Sequence, residues 1–206
     1  MMKRIITISR QFGSGGREIG QALASELGLE FYDKKIITLA AKESGIDEKL
    51  FEHADEKETD SFLYSFAMGG HGMGGAIAGY SDYITNDKLF IEQSKVMRKI
   101  AAQGPCVIVG RCADYILKDM DCVNVFIHAD LEARIARVMK EYGLSHGDAK
   151  AFVKKTDKRR SNYYNYYSDK AWGSVSSYHL CLDTGMLPPA RCVELLREYV
   201  SLIEES

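Results

Sequence analysis

Short apolar runs alternate along this chain with longer amphipathic stretches. Two of the runs, CVIVGR (106–111) and VNVFIH (123–128), are continuously apolar. This pattern is typical of strands that are buried on both faces of a parallel sheet. The full set of predicted β-strands is RIITIS (4–9), EFYD (30–33), CVIVGR, VNVFIH and YHLCLDTG (178–185).

The segments between these runs have the periodicity of α-helices. Ile19, Leu23 and Leu27 recur every four residues, and Gly28 provides a natural helix end. The other predicted helices cover 34–44, the residues after Asp47, 89–104, 131–143, the residues after Ser145, and 189–205. The predicted N-caps are Asp47, Asp130 and Ser145. The alternation of strand and helix predicts a three-layer α/β fold with a parallel sheet.

One segment, AMGGHGMGGAIAGY (67–80), interrupts this alternation with its many glycines. Its composition is typical of a flexible loop between two helical stretches. Two interpretations remain open at this stage. The segment is either a disordered surface linker or a mobile flap over a substrate pocket.

Composition and charge exclude several classes of protein. The net charge of the 206 residues is −2, so no overall basic field would gather nucleic acid. No apolar run approaches the roughly 20 residues of a membrane helix, and the apolar stretch after Arg4 is too short for a signal peptide. The five cysteines have neither metal-ligand nor CxxC spacing. We therefore expect a single cytoplasmic domain over 1–206 with small-molecule partners, no nucleic-acid or membrane partner, and an oligomeric state left open.

The most informative stretch is ISRQFGSGGREIG (8–20), which lies between a predicted strand and a predicted helix. Glycines at this point let the backbone wrap an anion, and the following helix N-terminus attracts negative charge. The stretch resembles the GxxxxGK[ST] phosphate-binding loop, but its lysine and hydroxyl positions cannot be assigned to one register. In one register Arg17 replaces the lysine and Glu18 the hydroxyl. The alternative is a glycine-rich turn that only packs a helix against a strand.

Five further motifs follow in order: EFYD ending in Asp33, the GR of CVIVGR followed by Cys112, ADLEARIARVMK with Arg134 and Arg137, TDKRR with Asp157 and Arg160, and LCLDTG. With the loop, they resemble the cytidylate kinase-like family of P-loop nucleoside-monophosphate kinases over nearly the whole chain. The resemblance implies a three-layer P-loop NTPase fold with a helical lid. It places the lid at 144–172 and a helical acceptor-binding or flap insertion at 45–88.

The resemblance also implies a reaction, the transfer of the γ-phosphoryl group of ATP to CMP or dCMP with Mg²⁺. The implied catalytic residues are Arg17, Arg159 and Arg160. The implied contacts to the donor nucleotide and its phosphates are Arg10, Gln11, Gly13, Ser14, Gly15, Gly16, Arg17, Glu18, Arg134 and Arg137. The implied acceptor contacts are Asp33, Arg111 and Asp157, and Glu18 is the candidate Mg²⁺ ligand.

Several alternatives stay open on the sequence alone. The run KKTDKRR (154–160) is either part of the lid or the solvated face of a helix. The run NYYNYYSDKAW (162–172) is either a packing cluster or a surface on which bases stack. At the level of function, the alternatives are a kinase for another small acceptor and a nucleotide-binding module without phosphoryl transfer.

Overall fold

A computed structural model describes residues 4–54 and 79–205. The β-strands are β1 (Ile5–Arg10), β2 (Glu30–Tyr32), β3 (Cys106–Val109), β4 (Cys122–His128) and β5 (Leu180–Asp183). The helices are α1 (Gly16–Leu27), α2 (Lys35–Ser44), α3 (Glu48–Ala54), α4 (Gly79–Gln103), α5 (Ala113–Ile116), α6 (Leu131–Tyr142), α7 (His146–Ser168) and α8 (Pro189–Glu205). The linker and flap interpretations of the glycine-rich segment concern 67–78 above all, which lie outside the described residues.

The five strands form one parallel sheet in the order β2-β3-β1-β4-β5. The central strand β1 pairs with β3 on one side and with β4 on the other, so that Ile8 lies between Val109 and Val125. Because all strands run in the same direction, their carboxyl ends share one edge of the sheet. The predicted parallel α/β fold is confirmed, and the loop after β1 emerges in the middle of this edge.

The two faces of the sheet are packed differently. One face forms an apolar core with α1 and α8, in which Ile19 and Leu23 of α1 and Leu196 of α8 are fully buried. The other face is more polar. There the Thr7 hydroxyl donates a hydrogen bond of 2.8 Å to Asn124 Oδ1, and Phe126 packs against Trp172 and Tyr178.

Local signals account for most helix boundaries. The predicted caps are confirmed, since Asp47 Oδ1 accepts from Lys49 N, Asp130 Oδ1 from Ala133 N, and Ser145 Oγ from Asp148 N. Most boundaries differ from the prediction by one or two residues, and the short helix α5 was not predicted. Two of the differences are informative. Helix α4 begins at Gly79, ten residues before the predicted start at 89, and β3 ends at Val109 because the following backbone turns left-handed.

The chain divides into two compact units. One contains the chain up to Asp33 and from Met97 onward, and therefore holds the whole sheet and the glycine-rich loop. The other, Lys34–Val96, contains α2, α3 and the first part of α4, and in it the Thr38 hydroxyl donates to Glu48 Oε1 at 2.6 Å. None of the described helices is long and apolar enough to cross a membrane.

Candidate phosphate-transfer site

The loop between β1 and α1 requires glycine at three positions. At Gly16 the reason is packing, since a Cβ atom there would lie 2.6 Å from the Cβ atom of Arg10. Gly13 and Gly15 have left-handed backbones, with φ angles of 77° and 79°. A Cβ atom on Gly13 would lie 2.8 Å from the carbonyl oxygen of Arg134, and one on Gly15 would lie 2.6 Å from the guanidinium of Arg137. The loop therefore passes close to α6. It ends at the N-terminus of α1, where amides without helical partners and the helix dipole favour an anion.

Polar side chains hold this loop in place from within. Ser14 is buried, and its hydroxyl donates to the carbonyl oxygen of Gln11 at 2.8 Å. Gln11 Oε1 in turn accepts from the amide of Ala129 at 3.2 Å. Gln11 and Ser14 were predicted to contact phosphate, but the structure places these side-chain oxygens in bonds within the protein. The amide of Ser14 donates to the same carbonyl oxygen of Gln11 at 3.3 Å, so Ser14 mainly shapes the loop.

Thr184 is a loop contact that the sequence did not reveal. Its hydroxyl lies 2.8 Å from the carbonyl oxygen of Ser14 and 3.1 Å from that of His128. The motif LCLDTG contains Thr184, but no local pattern connects a hydroxyl after β5 to a loop some 170 residues earlier. The contact arises because the carboxyl ends of the parallel strands meet at one edge.

Asp33 binds two arginines from different elements. Arg17 in the first turn of α1 donates from Nε to Asp33 Oδ2 at 2.7 Å. Arg111 after β3 donates from Nη1 to Asp33 Oδ1 at 3.0 Å. Asp33 and Arg111 are each 3% exposed, whereas the Arg17 side chain is about half exposed. The structure thus brings Arg17, a predicted contact of the donor nucleotide, together with Asp33 and Arg111, two of the predicted acceptor contacts.

Asp33 stays ionised in this environment. Burial by itself would raise the pKa of Asp33, but the charges of Arg111 and Arg10 and the hydrogen bonds from Arg17 and Arg111 outweigh it. The result is a pKa of about 2, well below the usual value for an aspartate. Three cationic groups therefore surround one carboxylate, and the cluster is positive overall, which suits an anionic ligand.

The turn that carries Arg111 has an unusual backbone. Gly110, Arg111 and Cys112 have φ angles of 74°, 54° and 56°, so three successive residues are left-handed. Each non-glycine residue in this conformation costs about 1 kcal/mol. The strained turn directs the Arg111 side chain to Asp33, while Cys112 is buried. Strain of this kind is common where function requires one particular side-chain position.

Helix α7 contacts the loop through Asp157 and Arg160, which are both predicted site residues. Asp157 also binds Arg134 of α6. Asp157 accepts hydrogen bonds from the amide of Phe12 at 2.7 Å and from Arg134 Nη1 at 2.5 Å. Arg134 also donates to the carbonyl oxygens of Ala129 and Phe12. The sequence predicted that Asp157 contacts the acceptor and Arg134 the donor nucleotide. In the structure both bind loop backbone.

Arg160 lies on the same side of α7, one turn further. It is buried, its Nη1 donates to the carbonyl oxygen of Arg10 at 3.3 Å, and its guanidinium lies 5.5 Å from the centre of the Phe12 ring. The basic run around it is not simply a solvated face. Lys158 is exposed, Arg159 is half-buried, and Arg160 is buried together with Thr156.

Glu18 and Arg137 form an ion pair of 2.8 Å at the exposed end of the loop. The Glu18 side chain is 65% exposed and is therefore accessible to a hydrated cation. Within 4–54 and 79–205, no group of three His, Cys, Asp or Glu side chains is arranged to hold a metal ion. Mg²⁺ in phosphoryl transfer is usually bound by one or two carboxylates, water and the phosphates themselves, so one carboxylate fits this role.

Comparison with known proteins gives consistent results. The family model described as "Cytidylate kinase-like family" matches residues 5–186. A cytidylate kinase of Methanopyrus kandleri is 24% identical over 190 residues, which is 87% of this chain and 84% of that protein. A crystal structure of an uncharacterized protein from Eubacterium ventriosum has a TM-score of 0.70 at 27% identity, with 97% of this chain and 99% of that one covered.

A more distant similarity concerns the fold alone. The shikimate kinase of Bacteroides thetaiotaomicron has a TM-score of 0.54 at 14% identity, with 98% of this chain and 99% of that one covered. The parallel sheet with a glycine-rich loop after its central strand is thus the α/β fold of a P-loop kinase. Since the family model covers most of the chain, this protein belongs to the cytidylate kinase-like family.

Proposed function

We propose that the protein is an ATP-dependent phosphotransferase that acts on a nucleoside monophosphate, with CMP or dCMP as the expected acceptor. The observation that carries this proposal is the set of arginines at the glycine-rich loop. Arg10, Arg111 and Arg160 are buried beside it, and Arg17 lies in the first turn of the helix that follows. Phosphoryl transfer requires mainly positioning and positive charge around the phosphoryl oxygens.

The residues of the loop fit the phosphates of a nucleotide. The backbone of Gly13 to Gly16 and the side chain of Arg17 would hold the phosphates, with Arg17 in place of the usual lysine. Glu18 would bind Mg²⁺ directly or through water. ATP with Mg²⁺ would supply the phosphoryl group and reduce its negative charge.

The acceptor phosphate would lie near Arg111. Asp33 holds the guanidinium of Arg111 in a single orientation, which prepares it for bidentate contact with a phosphate. Arg160 would stabilise the charge that develops during transfer, and Arg159 would assist from the same helix. The curated relative from Methanopyrus kandleri is named cytidylate kinase, which supports a cytidine nucleotide as acceptor.

The test is ATP consumption by the purified protein with Mg²⁺ against CMP, dCMP, UMP and AMP. We expect turnover that depends on CMP or dCMP. Turnover with another acceptor would redirect the proposal to that acceptor. Nucleotide binding without turnover for any acceptor, shikimate and gluconate included, would instead favour a binding module without phosphoryl transfer.

Arg17 provides a second test that does not depend on the acceptor. We expect Arg17→Ala to weaken the binding of Mg²⁺–ATP and of tripolyphosphate by about tenfold or more, because a charged hydrogen bond contributes about 1.5–3 kcal/mol. The matched control is Arg197→Ala, which removes an exposed arginine on α8. Calorimetry that showed the same affinity for both variants would contradict the assignment of the phosphate loop.

A further inference from the structure

A cavity of about 530 Å³ lies at the carboxyl ends of β4 and β5, on the sheet face opposite the apolar core. It begins at the phosphate loop, since Gln11 is part of its lining. The other lining residues that matter here are Phe126, His128, Asp130, Trp172 and Asp183. None of the roles assigned above to the phosphate loop, to Asp33 or to α7 uses this cavity.

Aromatic rings form one wall of the cavity. The Phe126 and Trp172 ring centres are 5.5 Å apart with an interplanar angle of 84°, and Phe126 and His128 are 6.4 Å apart at 25°. Phe126 is 4% exposed, so the rings of this wall that a ligand can reach are the half-buried ones of His128 and Trp172. Such a wall favours a planar heteroaromatic ligand, because nucleobases bind proteins by stacking on aromatic side chains.

The polar groups of the cavity are mainly acceptors. None of the described lining residues is lysine or arginine, and two are aspartates. Asp130 Oδ1 caps α6 and Asp183 Oδ1 accepts from the amide of Gly185 at 2.8 Å. A Cβ on Gly185 would lie 3.0 Å from Asp183 Oδ1 and 3.1 Å from Asp130 Oδ2, so a side chain at this position would crowd both carboxylates.

We propose that this cavity binds the base of a purine nucleotide whose phosphates lie on the loop, and that it binds guanine more tightly than adenine. Guanine presents two adjacent donors, N1–H and the N2 amino group, which match a carboxylate in a bidentate arrangement. Adenine presents only one amino group on that edge. GTP therefore serves as a phosphoryl donor beside ATP. The inference deepens the proposed function and rests on it for the position of the phosphates.

Gln11 adds a second reason for this preference. Its Oε1 accepts from the amide of Ala129, which leaves its Nε2 amino group as a hydrogen-bond donor at the loop side of the cavity. The O6 atom of guanine accepts from such a donor, whereas the N6 amino group of adenine does not. Sites built to hydrogen-bond one edge of a ligand reject the analogue that leaves their polar groups without partners.

Two side chains of the cavity allow ligand binding to be measured directly. Trp172 is its single tryptophan, so intrinsic tryptophan fluorescence reports on the cavity wall. Cys181 also lines the cavity and is half-buried, whereas the other four cysteines are buried. Alkylation of Cys181, located by mass spectrometry, therefore measures access to the cavity. Both measurements are independent of catalytic activity.

The experiment titrates the full chain with GTP, ATP, CTP and tripolyphosphate in the presence of Mg²⁺. We expect GTP to quench Trp172 fluorescence, to protect Cys181 and to bind about tenfold more tightly than ATP, which corresponds to about 1.4 kcal/mol. Asp183→Asn should remove this preference, because the amide keeps the bond to Gly185 but replaces one acceptor oxygen by a donor. The control Asp119→Asn changes an exposed aspartate near the opposite edge of the sheet and should bind as the wild type does.

The outcomes separate this inference from the proposed function. Tripolyphosphate binding without quenching or protection by any nucleotide would refute the base cavity and leave the phosphate loop intact. Binding of ATP at least as tight as that of GTP would refute the guanine preference. Equal loss of tripolyphosphate and GTP binding in Asp183→Asn would show that the aspartate acts on the loop and not on a base. No binding of tripolyphosphate or any nucleotide would overturn the proposed function and, with it, this inference.

Discussion

Replacing Asp33 with asparagine removes the carboxylate that binds both Arg17 and Arg111. The asparagine has nearly the same shape and keeps one acceptor oxygen, so the change acts mainly on charge. Arg111 is 3% exposed, and in the variant its guanidinium stays buried beside Arg10 without a neighbouring carboxylate from residue 33. We expect a folded but less stable protein.

The size of the effect follows from the pKa of Asp33. Its decrease from 3.8 to about 2 corresponds to about 2 kcal/mol of favourable interaction with the ionised carboxylate. Breaking a buried ion pair by removing one partner costs about 3–5 kcal/mol in general. Because Asp33→Asn retains part of the hydrogen bonding, we expect a loss of about 2–4 kcal/mol in the free energy of unfolding near neutral pH.

The difference in stability between the two proteins should also depend on pH, in a direction that the lowered pKa of Asp33 determines. A carboxylate with a lowered pKa stabilises the fold above its unfolded pKa, and this contribution is lost as the pH falls through the folded pKa, here about 2. The difference in stability between wild type and Asp33→Asn should therefore be full at neutral pH and shrink from about pH 4 to about pH 2.

The assay is urea unfolding, followed by circular dichroism, of both proteins at several pH values from neutral to acidic. Asp119→Asn, which removes an exposed carboxylate, serves as the matched control and should change stability by less than about 0.5 kcal/mol. If Asp33→Asn and the wild type had the same free energy of unfolding at neutral pH, the reasoning would be refuted. A difference from wild type that stayed constant into the acidic range would refute the role of ionisation.

Two further predictions concern the loop and α7. Gly13→Ala should destabilise the protein more than Gly28→Ala, because both positions have positive φ but only a Cβ at 13 meets backbone at 2.8 Å; equal melting temperatures would contradict the close packing of the loop on α6. If the protein transfers phosphoryl groups, Arg160→Ala should lower kcat by about a thousandfold and change nucleotide affinity less. Lys158→Ala, an exposed position on the same helix, should leave kcat unchanged, and an unaltered kcat for Arg160→Ala would remove this arginine from the mechanism.

Local patterns were sufficient for most elements of the fold, although the short helix α5 was not predicted. Continuous apolar runs predicted the buried parallel strands, and side chains that bond within one turn, such as Asp130 and Ser145, predicted helix starts. These signals depend on neighbours within a few residues, so they can be read from the chain directly. The left-handed turn at Arg111 and Cys112 was not predicted, because neither residue type favours that conformation.

The sequence also identified candidate residues of the site, but it did not show which of these residues contact one another. Asp33 and Arg111 are 78 positions apart and become neighbours only because β2 and β3 end at the same edge of the sheet. The same applies to Asp157, which binds the amide of Phe12, and to Trp172, whose ring packs against Phe126. The sequence by itself determined the strands, the helices and the glycine-rich loop, since these arise from local backbone preference and apolar period. Only the tertiary structure decided which charges face one another, since that depends on strand order and register.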